Sequence, residues 1–436
     1  MDVSSSSDGF RIWIEVDDFI RYFDWSVTPT GIGRVQAQIL PWLVDAYPGR
    51  VLLCRVGAGG EQVEVLSYEE VARLTDGNEF LHRQKTRRWP VSLLKVKRYL
   101  GTRLTAAVKA RLGNTNGRQR FASMIREGDV LLNLGASWSH RDFGKAIAFL
   151  KARYGVRFGL LVHDVLPVSH PHLVAPGHIP NFTKWLHDMT GVWDLVLTPS
   201  QSSAEALANY LGEQNLPVPD TRVIPFGAGF PTNLPRPDLP LEHRSHVLYV
   251  STIEIRKNHM LLFRVWEKLV DRHGAGAVPQ LVFAGKFGWE IADLRRALNT
   301  SKSLDGKIRV IENLSDEELA SYYRNSLFTV FPSFCEGWGL PVSESLYYGR
   351  YCIASSATSL PEVGGRFIDY HEPGDTEGAY ELIEAAIFNP DLVADKEQII
   401  RQEYPCPTWQ QTALSIVATL DGYFPDPQRK QQAFAR

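Results

Sequence analysis

The chain has 436 residues, 44% of them hydrophobic, and a formal net charge of -2 from 47 basic and 49 acidic side chains. That length predicts two domains of about 200 residues each rather than one core, and the near balance of charge excludes a whole-surface attraction to polyanions. Cys54, Cys335, Cys352 and Cys406 are too scattered for a small disulfide framework or a CxxC pair, and no apolar window approaches the roughly 18 residues that a membrane span requires.

A reducing cytoplasm is the simplest compartment for such cysteines. "MDVSSSSDGFRIWIEVDD" has no basic segment followed by a long apolar stretch, so no secretory signal is expected. The first strand is predicted in "FRIWIEVDD". "TPTGIGRVQAQILPWLVDAYP" follows, where Gly31 and Gly33 precede a helical stripe of Val35, Ile39, Leu40 and Leu43. A strand, a glycine loop and a helix in that order begin an α/β unit. "RVLLCRVG" and "QVEVLSY" read as further short strands.

Next comes the one strongly charged region. Residues 83–120 hold twelve Lys or Arg and no Asp or Glu, so the rest of the chain carries -2 - 12 = -14. Leu93, Leu94, Val96, Tyr99 and Leu100 interleave with Lys95, Lys97 and Arg98, a composition suited to an anionic membrane surface. A solvated basic helix packed along its leucines explains the same residues. No nucleic-acid partner is expected, because the aromatics form no stacking series.

From Asp129 strands and helices alternate: "DVLLNLGASW", "FGKAIAFLKARYG", "VRFGLLVHDVLPV", "NFTKWLHDMTGVW", "DLVLTPS", "SSAEALANYLG" and "TRVIPFG". The proline-rich stretch ending at Ser245 breaks the rhythm, and it then restarts with "HVLYVST", "MLLFRVWEKLVDRHG", "PQLVFAG", "DEELASYYRNS", "LFTVFPSF", "PVSESLYYG" and "YCIAS". The last helix is "TWQQTALSIVATLDGYF", with Thr408 as its cap. This predicts two doubly wound α/β domains with parallel sheets: residues 1–230, a linker 231–245, residues 246–407, and a helix and tail, 408–436, able to pack back on the first domain.

"EGWGLPVSE" carries the chemistry. It follows a strand, so Glu336 sits at the carboxyl edge where parallel sheets bind ligands. Gly337 and Gly339 permit close approach of a ligand to the backbone, and Pro341 suits a helix start that places Glu344 in the first turn. On charge alone, a solvent-facing Glu336 and a dipole-complementing Glu344 explain the acids as well. The segment nevertheless resembles the Glu-x7-Glu signature of retaining glycosyltransferases of the two-domain GT-B fold, in the family 4 group of bacterial mannosyl- and glucosyltransferases.

The resemblance implies that Glu336 lies by the transferred sugar and phosphate, that Glu344 holds the ribose, and that the backbone through Gly337, Gly339 and Leu340 meets the donor. "SSATSLPEVGG", with Glu362, resembles the family's next donor-facing segment. In "STIEIRKNH", Arg256 and Lys257 match its diphosphate site, with Ser251 where many members have arginine. Adjacent cations neutralise a departing diphosphate, although a solvated pair is the ordinary alternative. "PTGIGRVQ" resembles the N-terminal glycine loop, so Gly31 and Gly33 are donor contacts, with Arg34 adding charge; a tight turn is the alternative. "LLVHDVLPV" resembles the family's His-Asp segment, which puts His163 at the donor sugar and leaves Asp164 as a positioning or acceptor candidate, or a cap for local N–H groups.

The implied reaction is retaining transfer of a hexose, with GDP-mannose the preferred donor and UDP-glucose the alternative, to a lipid-linked or oligosaccharide acceptor in surface polysaccharide assembly. A phosphorylase, a transferase with a soluble acceptor and a non-catalytic nucleotide-sugar-binding assembly protein are the competing readings. No metal is expected, since Asp17 and Asp18 have no supporting ligand pattern. The expected location is the cytoplasm, peripheral at the inner face of the membrane.

Overall fold

A computed structural model describes residues 9–24, 31–75, 115–140, 142–230, 241 and 244–424, with side chains omitted for 115–119. Most of the basic region and of the linker, and the last twelve residues, lie outside the described residues.

The first sheet contains β1 (Ile12–Glu15), β2 (Val51–Val56), β3 (Val63–Leu66), β4 (Val130–Asn133), β5 (Arg157–Leu161), β6 (Leu195–Thr198) and β7 (Thr221–Val223), in the order β3-β2-β1-β4-β5-β6-β7. Only β2 and β3 join as an antiparallel pair among the registers described. Every residue of β1, β4 and β6 is buried, as expected of strands covered on both faces.

The second sheet holds β8 (His246–Val250), β9 (Gln280–Ala284), β10 (Ile308–Ile311), β11 (Ser326–Phe331), β12 (Cys352–Ser355) and β13 (Asp369–His371), all parallel, in the order β10-β9-β8-β11-β12-β13. Counted from its own first strand this is the order 3-2-1-4-5-6 of a doubly wound dinucleotide-type sheet, whose ligands bind where the order reverses. The reversal lies between β8 and β11.

Two Rossmann-like α/β domains are therefore present, as predicted. The chain divides into two compact units, residues 1–161 with 185–196 and 420–436, and residues 162–184 with 197–419. In the first, Trp13 is fully buried against Phe121, ring centres 4.9 Å apart, and its indole N–H donates to Asp129 at 3.0 Å. In the second, Tyr249 packs edge-on against Phe283 and Phe331 at 6.1 and 5.6 Å. The expected cap at Thr408 forms: its Oγ1 accepts the Gln411 N–H at 3.2 Å before the helix Trp409–Tyr423.

Candidate active site

In the second unit the loops after β8 and β11 lie side by side because their strands are neighbours. Phe334 N–H donates to Arg256 O at 2.9 Å, Asn258 Nδ2 to Pro332 O at 3.3 Å, and the Tyr249 hydroxyl to Lys257 O at 2.5 Å. A 3-10 turn, Ile255–Lys257, thus presents Arg256 and Lys257 directly to the residues that follow β11.

Glu336 sits between the two cations. Its Oε2 is 2.8 Å from Arg256 Nη1 and its Oε1 2.5 Å from Lys257 Nζ, and the carboxylate and Lys257 are both buried. Arg256 also reaches Cys335 O at 2.8 Å and Glu254 Oε1 at 3.0 Å. Glu254 is a member of this cluster that the sequence reading passed over, and its only signal is an acid two residues before the Arg-Lys pair.

Glu336 therefore pairs with both cations and Glu254 with Arg256, while Asp164 adds a third negative charge felt by them. Burial works against the charge of Glu336, but Arg256 and Lys257 outweigh it and bring its pKa down to about 2. Burial raises Glu254 and Asp164, with Arg256 pulling both back. Burial and the Arg256 charge lower Lys257, while Glu336 and Glu254 more than offset burial at Arg256 and raise it. A buried cluster of perturbed groups at the switch point of a parallel sheet is a functional-site signature.

His163 is buried, its ring 5.7 Å from Phe226, which also packs on Trp338 at 5.9 Å. Asp164 Oδ1 accepts the Leu166 N–H at 3.1 Å, the local cap weighed from sequence. Gly337 is explained differently from the expectation of room for a ligand: a Cβ there would fall 2.3 Å from His163 O and 2.9 Å from Asp164 Cβ. The protein's own backbone makes the close approach. Gly337→Ala is expected to cost about 1–3 kcal/mol through overpacking, seen as a lowered melting temperature in calorimetry; an unchanged melt would contradict this packing.

Gly339 precedes the helix Leu340–Tyr347 with φ +119°, a value suited to glycine. Leu340 rather than Pro341 opens the helix, so Glu344 lies beyond the first turn and does not complement the N-terminal amides as expected. It is buried and accepts a 2.8 Å hydrogen bond from the Tyr323 hydroxyl. Among the described residues, the N–H groups of Gly337, Trp338, Gly339 and Leu340 meet no acceptor. A row of amides at a helix start favours anions.

In the first unit, Gly31 with φ +53° precedes the helix Ile32–Ala46, and Gly33 packs against the Tyr22 ring, where a Cβ would stand 3.4 Å away. Asp17 pairs with Arg21 and Arg55, both at 2.7 Å, and Asp18 accepts from Ala136 N–H at 2.6 Å and Gln36 Nε2 at 3.1 Å. Among the described residues no cluster of His, Cys, Asp and Glu is arranged to hold a metal, and no helix is long and apolar enough to cross a membrane.

Residues 234–398 match the family "Glycosyl transferases group 1". Over 224 residues the chain is 29% identical to O-antigen chain mannosyltransferase B of Escherichia coli, covering 49% of this chain and 57% of that protein. Over 199 residues it is 29% identical to the serotype-specific mannosyltransferase WbdA of Escherichia coli, covering 42% of this chain and 24% of that one. The chain thus spans between about a quarter and just over half of these relatives.

Among solved structures it resembles sucrose-phosphate synthase from Thermosynechococcus elongatus, with a TM-score of 0.59, 16% identity and coverage of 95% and 99% of the two chains. Anabaena HepE in complex with UDP and glucose gives 0.56, 15%, and the same two coverages. The two sheets and these likenesses define a GT-B protein. Within that fold, residues 234–398 carry the group 1 glycosyltransferase match, and the chain is similar to bacterial mannosyltransferases over about half of its length.

Proposed function

We propose that the chain is a retaining glycosyltransferase that moves a hexose, mannose from GDP-mannose, to a lipid-linked or oligosaccharide acceptor in surface polysaccharide assembly. The observation that carries this reading is the buried Glu336 carboxylate held by Arg256 and Lys257 beside the row of amides at 337–340. The mannosyltransferase names of the curated relatives support the choice of sugar.

In this reading the diphosphate shares Arg256 and Lys257 with Glu336 and takes the amides of Gly337, Gly339 and Leu340 as further donors. Both sets stabilise the charge that develops on the leaving group. The acceptor attacks the face from which the phosphate departs, and the phosphate receives its proton. Glu336 orients the sugar and stabilises positive charge at the anomeric carbon, without acting as a covalent nucleophile. His163 lies by the donor sugar, Asp164 positions that segment, Glu344 holds the ribose, and Gly31 and Gly33 supply amides from the first domain. The domain limits at 230, 246 and 407 and the cytoplasmic, membrane-peripheral location belong to the same proposal.

The test is a panel of nucleotide sugars, read as thermal stabilisation and slow donor hydrolysis. GDP-mannose at about a hundred times its Kd should stabilise the fold by about 2.7 kcal/mol, with release of GDP. A response to UDP-glucose alone would replace the mannosyl reading with the glucosyl one.

A further inference from the structure

Three consecutive carbonyls after β11 are met by side-chain hydroxyls. Thr358 Oγ1 accepts the Glu336 N–H at 2.8 Å and donates to the Glu336 carbonyl at 2.9 Å. Ser359 Oγ lies 3.0 Å from that carbonyl and 2.7 Å from the carbonyl of Trp338. Ser200 and Ser203 donate to the intervening carbonyl of Gly337 at 2.8 and 3.0 Å. Glu362 fixes these two serines, because its carboxylate accepts the N–H groups of Gln201 and Ser202 at 2.7 and 2.8 Å where their helix begins.

Across a trans peptide the carbonyl of one residue and the N–H of the next point in opposite directions. Holding the carbonyls of Glu336, Gly337 and Trp338 therefore sets the directions of the N–H groups of Gly337, Trp338 and Gly339. Thr358 is also strained: its φ is +48°, a left-handed value that a β-branched residue adopts only where its surroundings enforce it. Glycine would suit that backbone better. What threonine adds is the hydroxyl on both sides of the Glu336 peptide.

We propose that Thr358, assisted by Ser359, is a positioning residue that fixes the peptides flanking Glu336, so that the carboxylate and the amides after it meet a diphosphate sugar in one arrangement. The proposal rests on the donor-site reading above and names the residues that hold that site in shape.

The test uses Thr358→Gly and Thr358→Ser in the full chain. Thr358→Gly relieves the strained φ while deleting the hydroxyl, so it should melt within about 2 °C of the parent. With GDP-mannose or UDP-glucose, whichever the parent consumes, its kcat should fall about tenfold to a hundredfold, whereas Thr358→Ser stays within about threefold. Stability and activity then part company, which a merely structural role does not produce. Parental kcat in Thr358→Gly, or an equal loss in Thr358→Ser, would overturn the proposal.

A second measurement needs no donor. Hydrogen exchange at the Glu336 amide should quicken about tenfold in Thr358→Gly and not in Thr358→Ser. Equal exchange in the two variants would overturn the proposal. A parent that consumes neither sugar defeats the donor reading instead, and leaves the exchange result to decide whether Thr358 holds the loop.

Discussion

Glu336→Gln is expected to lower sugar transfer by roughly 10²–10³-fold, the effect of deleting a preorganised electrostatic group, while circular dichroism shows the secondary structure retained. The amide keeps the shape of the side chain but withdraws the negative charge that Arg256 and Lys257 share at 2.8 and 2.5 Å. Lys257, which is buried, then loses its close carboxylate and Arg256 keeps only Glu254 at 3.0 Å, so the melting temperature falls as well. The assay belongs at a temperature where the variant is folded. Transfer at the parental rate under those conditions would remove Glu336 from the centre of the reaction.

The same carboxylate sets a pH dependence. Its pKa falls from 4.5 to about 2 on folding, burial being outweighed by Arg256 and Lys257. A lowered carboxylate pKa contributes stability that is fully present above the unfolded value and is lost as pH falls through the folded one. The contribution, roughly 3 kcal/mol at 1.36 kcal/mol per pKa unit, should fade between about pH 5 and pH 2 in the parent and be absent from Glu336→Gln. Paired urea titrations across that window measure it, and identical acid limbs would contradict the ion pairing.

The largest loss of stability is expected from Glu397→Gln, at the opposite end of the site helix. Glu397 is buried with Arg244 at 2.5 and 2.8 Å, Arg350 at 3.0 Å and Arg401 at 3.2 Å. Burial pushes Arg350 down to about 10, with Glu397 working the other way, and a guanidinium does not escape burial by losing its proton near neutrality. Removing the shared carboxylate should cost about 3–5 kcal/mol, read as a lowered midpoint in urea or calorimetry.

That network also steadies the helix Leu340–Tyr347, because Arg350 N–H donates to Ser345 O at 2.9 Å and Ser345 Oγ bonds back to Arg350 O at 3.1 Å. A stability change below about 1 kcal/mol, the range of exposed ion pairs, would show that the buried cluster is worth no more than a surface one.

Much of the second sheet was legible because its central strands are continuous apolar runs. β8, β9, β11 and β12 are buried almost throughout, and each follows or precedes an amphipathic helix. The strands that escaped are its two edges. β10 carries an exposed Arg309 and β13 is only three residues long, so neither has the length nor the apolar density that marks a strand.

The site divides in the same way. "EGWGLPVSE" and the Arg-Lys pair were found because a strand, a glycine loop and a helix leave a local pattern at fixed spacing. Glu254 and Thr358 left no such pattern. Their importance depends on which strand ends are neighbours, and Thr358 lies 22 residues from the peptide it holds.

By itself the sequence determined the α/β rhythm, the position of Glu336 at a carboxyl edge and the two cations near the start of the second domain, because burial periodicity and glycine loops are local properties of the chain. Only the tertiary structure decided that Gly337 is required by the backbone of His163, that Glu344 answers Tyr323 rather than its own helix start, and that a strained threonine holds the loop. Those facts depend on how the segments after β5 and β12 and the helix before β11 pack against the loop and helix that follow β11, and distance along the chain carries no record of them.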